Sequence, residues 1–141
     1  MRLVLVLASL ATPVTAWEFT PGLPCVLNHV EDGIAVELTH DPTQPLFTIT
    51  LTRPTPWPEA EIFALSFQGG SDLTITTNRH ELSDAGRSLT VTDRGFGNVL
   101  NGLILNDTAT ALIGGAAVPF SLTGADGPTR AFADCAVDPA V

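Results

Sequence analysis

The chain has 141 residues, 45% of them hydrophobic, and sets 15 acidic against six basic side chains, a formal net charge of −9 at pH 7. That hydrophobic share excludes a disordered chain, and the length implies one domain able to bury a real core. The acidity sets the surface against nucleic-acid phosphates and anionic lipid, so no nucleic-acid partner is expected.

The N-terminus reads as a secretory signal. Arg2 supplies a short positive region, Leu3 to Leu10 is almost unbroken apolar sequence, and Val14-Thr15-Ala16 offers small residues before a cut. Cleavage is predicted after Ala16, giving a signal peptide over 1–16 and a single β-rich domain over 17–141. The apolar run falls short of the roughly 20 residues of a membrane-spanning helix, and no second such run follows, so no transmembrane segment is expected after cleavage. Arg2 leaves with the signal. The five remaining basic residues are all arginine: Arg53, Arg79, Arg87, Arg94 and Arg130. Cys25 and Cys135 are the only cysteines, and an even count in an exported chain predicts that they form a disulfide.

Strand-like alternation then dominates. A first strand is expected near 25–30, followed by a turn at Glu31-Asp32-Gly33. In 33–40, Ile34, Val36, Leu38 and His40 alternate with Ala35, Glu37 and Thr39; in 47–52, Phe47, Ile49 and Leu51 alternate with three threonines. Asp41 to Pro45 is turn material between them. Pro54, Pro56 and Pro58 surround Trp57 in a rigid loop or edge, where the indole either joins a contact patch or lids the core. Further strands are predicted at 62–67, at 73–77 and around Leu89 and Val91, with Ser83 to Gly86 as a hairpin loop in which Gly86 takes positive φ.

Asp93-Arg94-Gly95-Phe96-Gly97-Asn98 is a polar loop with one large apolar residue. Phe96 is read as a plug into the core, aimed by glycines that permit a tight turn, with Asp93 bonding local backbone. The G-x-G ahead of a helix is also a candidate anion cradle aided by Arg94, although the full dinucleotide fingerprint and the P-loop lysine are missing. Val99, Leu100, Leu103 and Ile104 predict a short helix over 98–105. Strands over 108–113 and 116–122 flank the hairpin signal Gly114-Gly115, and a terminal helix is expected over 128–135. About eight strands and two short helices predict a mainly β fold, an antiparallel sandwich or half-barrel.

The chemistry-bearing residues are scattered. His29, His40 and His80 have no metal-ligand spacing, no serine stands in G-x-S-x-G, and the carboxylates show no local catalytic pattern. No catalytic residue, metal ligand or cofactor is assigned. Trp57, Arg79, His80 and Arg94 are the candidate binding residues. The expected function is that of a non-enzymatic exported protein, periplasmic or extracellular and monomeric, structural or bound to a protein or envelope partner. The alternatives are a small-molecule or anion-binding module, or an enzyme with a non-local site around Arg79 and His80. A His/Arg/acid cluster in a pocket would favour those alternatives; an exposed apolar patch without one would favour a protein partner.

The segments Trp17-Glu18-Phe19-Thr20-Pro21-Gly22-Leu23-Pro24-Cys25 and Asp93 to Leu100, with Phe120-Ser121-Leu122-x-Gly124-Ala125 and Phe132-x-x-Cys135, resemble a family of small exported alphaproteobacterial proteins. The resemblance covers nearly all of 17–141 and brings no catalytic residues with it. Some members of that family carry the label of an excinuclease ABC subunit, which the signal segment, the acidity and the missing P-loop and helicase motifs do not support. The S-L-x-G ending before a short helix is also loosely similar to the invasion-associated locus B proteins, which implies an envelope or host-contact role.

Overall fold

A computed structural model describes residues 15–135. Apart from Thr15 and Ala16, the signal segment predicted over 1–16 lies outside the described residues. Ten strands and two helices follow in the order β1 (Thr15–Thr20), β2 (Cys25–Glu31), β3 (Ile34–Asp41), β4 (Leu46–Thr52), β5 (Phe63–Gln68), β6 (Leu73–Thr77), β7 (Glu81–Ser83), β8 (Ser88–Asp93), α1 (Gly97–Leu105), β9 (Thr108–Ile113), β10 (Ala116–Ser121) and α2 (Asp126–Asp134). They form two antiparallel sheets, one of six strands ordered β1-β2-β3-β4-β8-β7 and one of four ordered β10-β9-β5-β6. The mainly β, sandwich-like architecture expected from the alternation is the one observed. Two strands were not anticipated: β1, whose short Trp-Glu-Phe alternation adjoins the apolar leader, and the three-residue β7.

Alternation sets the two faces of each sheet. Leu27, Val36, Leu38, Ile49, Leu51 and Leu89 point inward from the larger sheet and meet Phe63, Leu65, Phe67, Ala109, Ala111 and Phe120 from the smaller one in a single buried cluster. The opposite face of the larger sheet carries hydroxyls in directly opposed pairs: Thr39 with Thr48, Thr50 with Thr90 and Thr52 with Ser88 are cross-strand partners whose side chains hydrogen-bond. Such pairs add to the ladder and fix its register, since a one-residue slip would turn the threonines into the core. Gly114 and Gly115, at φ 53° and 85°, make the two-residue β9–β10 turn, and Gly86 takes the expected positive φ of 84°.

The helices and the disulfide gather where Cys25, His40, Phe47 and Asp93 stand side by side in register. α1 leads from β8 in the larger sheet to β9 in the smaller, and packs against α2, which lies on β1 and β2. Phe96 is 5% exposed and sits 5.4 Å, ring to ring, from Phe47, so it plugs the core as its apolar character implied. Cys25 and Cys135 are disulfide-bonded across 110 positions, tying the start of β2 to the end of α2. In the chain-entropy view a loop of that size corresponds to about 4–5 kcal/mol of stabilisation. Glu31 ties the two sheets directly. Its carboxylate accepts from the Ser121 amide at 2.6 Å and pairs with His29 at 2.9 Å, while the Trp17 ring stacks on His29.

A candidate binding cleft between the sheets

The two sheets do not close along their whole length. β7 pairs with β8 only from Ser88 to Thr90, so among the described residues the last residues of β8, Val91 to Asp93, have no outer neighbour strand. On the facing sheet β6 is the edge strand. Between the two lies an open cleft of about 420 Å³. Its walls are Ile49 and Val91, a cross-strand pair of the larger sheet, and Leu65 and Ile75, a cross-strand pair of the smaller, with Phe63 beside them. Val91 and Ile75 remain only half-buried. The Gly95–Val99 segment and the start of α1 close one end.

The rim is polar. The chain crosses from β6 to β7 through Asn78, Arg79 and His80, and this crossing brings Arg79 to the mouth. Arg79, with a side chain 69% exposed, donates to the Asp93 carboxylate at 3.1 Å, and the other Asp93 oxygen accepts the Arg94 amide at 2.7 Å. An ion pair this exposed contributes no more than about 1 kcal/mol to stability.

The four candidate residues therefore part company. Arg79 lines the cleft. Arg94 is exposed next to Asp93, yet its side chain is not among those lining the cleft. His80 is not among the residues lining the cleft: one ring nitrogen bonds the Ala60 carbonyl at 2.8 Å, and the ring centroid lies 6.1 Å from that of Phe63. Arg79 and His80, adjacent in sequence, do not converge on one site. Trp57 is 3% exposed, donates its indole N–H to the Leu51 carbonyl at 3.1 Å, and carries the Arg53 guanidinium 4.3 Å above its ring. It is a lid on the core and not part of a surface patch.

Gly95 and Gly97 require a correction. Neither takes a positive φ, and a Cβ on either would meet nothing within 4 Å. The turn does not need glycine at these positions to aim Phe96 inward. Both line the cleft, where they leave backbone bare and the mouth unobstructed. The apolar walls came from strand residues that the sequence marked only as core, and their opening depends on where β7 stops, which no local motif signals.

A second groove, about 710 Å³, lies beside the disulfide between Phe19, Pro21, Leu23, Pro42 and Ala131. It runs up to Cys135, where the described residues end, so its open side does not define a site. Among the described residues no three His, Cys, Asp or Glu side chains converge as metal ligands, and no helix is long and apolar enough to cross a membrane. No protein family, curated protein or solved structure matches the chain. Among the described residues, the fold and the cleft together define a disulfide-closed β domain with two helices and an open inter-sheet cleft of ligand-binding size.

Proposed function

We propose that the protein is an exported, non-enzymatic binding module that works outside the cytoplasm, in the periplasm or beyond, and takes an apolar ligand between its two sheets. The observation that carries this reading is the cleft: apolar walls, a polar rim and a volume within the ~300–1000 Å³ of small-molecule sites. Export is supported by the charge, apolar run and small residues of 1–16 and by a disulfide, which persists in oxidising compartments. The resemblance to small exported alphaproteobacterial proteins points the same way. The partner is then a small molecule and not nucleic acid. The engagement of His80 by the Ala60 carbonyl, and of Asp93 by Arg79 and the Arg94 amide, supports binding over catalysis.

A neutral apolar fluorophore, N-phenyl-1-naphthylamine, tests this. Its fluorescence should rise saturably with the disulfide-bonded protein. The rise should be abolished by Val91→Phe, which fills the cleft, and kept by Leu23→Ala in the other groove. Absence of saturable binding, or loss of binding in Leu23→Ala alone, contradicts the reading.

A further inference from the structure

Resting on the cleft reading above, we propose that the ligand is a single-chain carboxylate, with its tail among Ile49, Leu65, Ile75 and Val91 and its carboxylate at the mouth against Arg79 and the first turn of α1. The charge arrangement selects this chemistry. Among the described residues Asp93 is the only acid lining the cleft, and both of its oxygens are already engaged, one by Arg79 and one by the Arg94 amide. Asp93 thus orients Arg79 and uses one of its five N–H donors. The free edge of a guanidinium fork matches the two oxygens of a carboxylate.

The end of α1 adds to this. The helix begins at Gly97 after Phe96, which supplies no side-chain cap, and it has no acidic residue in its first turn. Its first intrahelical bond runs from the Leu100 amide to the Phe96 carbonyl, so the amides before Leu100 have no intrahelical acceptor. No carboxylate within that first turn offsets the positive helix end where it borders the cleft. Gly95 and Gly97 stand here without a positive φ or a close packing neighbour, and both line the cleft. At the mouth the Arg79 and Asp93 charges balance, so the unused Arg79 donors and the partial positive charge of the helix end stand above an apolar slot. The volume, near the lower end of the usual range, suits one short chain and not a two-chain lipid.

Titration calorimetry at pH 7.5 with octanoate and with 1-octanol, which share a tail length and differ at the head, tests the assignment. Octanoate should bind at least tenfold more tightly than 1-octanol. Arg79→Gln should cut octanoate affinity at least tenfold and leave 1-octanol unchanged. Asn98→Asp places a negative charge in the first turn of α1, where it favours the helix and opposes the ligand. It should weaken octanoate at least tenfold without lowering the urea midpoint, which separates lost binding from lost folding. Equal affinity for the two ligands, or octanoate binding unchanged in both variants, overturns the carboxylate assignment and leaves the cleft reading standing. Failure of both ligands to bind overturns both.

Discussion

Gly102→Ala sets helix propensity against packing. Gly102 lies inside α1, where alanine ordinarily stabilises a helix by about 1 kcal/mol relative to glycine. Here a Cβ at 102 would stand 2.5–2.6 Å from three ring carbons of Phe67, which is fully buried on β5. Ordinary carbon contacts lie at about 3.5–4.0 Å, so the ring or the helix must give by about 1 Å. Phe67 has core on its other sides, which places the cost near the upper end of the 1–3 kcal/mol typical of overpacking. The net expectation is a loss of about 2 kcal/mol. Urea unfolding followed by the fluorescence of the two buried tryptophans, Trp17 and Trp57, measures it. Gly97→Ala, at the open start of the same helix, is the control and should be neutral or slightly stabilising. In a Phe67→Leu background the cost of alanine at 102 should shrink, because the two sites share one contact. A neutral or stabilising Gly102→Ala would refute the packing of α1 onto β5.

Other expectations follow from the same geometry. Phe96→Ala should destabilise the fold by about 3–5 kcal/mol, as for a buried phenylalanine, while Arg94→Ala leaves the urea midpoint in place; a neutral Phe96→Ala would mean that the loop is not anchored in the core. Intact mass measured without reductant should show no alkylatable thiol, and Cys135→Ser should lower stability by up to about 4–5 kcal/mol; two free thiols would contradict the Cys25–Cys135 bond. His40 is buried against Phe47, and burial lowers its pKa from 6.5, outweighing the Asp41 carboxylate that raises it. The unfolded chain therefore takes up this proton more readily than the folded one, so the His40 contribution is complete above pH 6.5 and is lost as the pH falls below it. Asp41 acts in a lower window. Bonds from the Thr43 hydroxyl and amide hold its carboxyl below 3.8, and the stability it adds is lost only as the pH falls through that region. The urea midpoint should drop between pH 7.5 and 5.5 and drop less in His40→Phe; an unchanged slope in that variant would remove His40 as the cause.

Much of the fold was legible because the sandwich buries one face of most strands, and period-two patterning records that directly, as in Ile34, Val36 and Leu38 or Phe47, Ile49 and Leu51. The glycine pair 114–115 and Gly86 marked turns for a local backbone reason. What escaped was non-local. β1 is held by the Trp17 indole bonding the Ser121 carbonyl, a contact across 104 positions, and β7 is too short to show a period. The predicted cut after Ala16 falls within β1, whose continuous pairing begins at Glu18. Of the candidate site, Arg79 and the Gly95–Gly97 segment stood out as polar or glycine-rich. Trp57 and His80 also stood out by residue type, but the indole is spent on the Leu51 carbonyl and the imidazole on that of Ala60. Ile75 and Val91 looked like any core residues, because half-burial depends on which strand lacks a neighbour.

The functional reading rests on the inter-sheet cleft, and amide chemical-shift mapping of the ¹⁵N-labelled protein during octanoate titration tests it most directly. Saturable shifts should concentrate at Ile75, Thr77, Arg79, Val91 and Gly95–Val99, all on the cleft, with Pro21–Cys25 and α2 silent. Shifts centred on Leu23, Thr43 and Ala131 in the groove beside the disulfide, or none at saturating octanoate, would contradict a ligand site between the sheets.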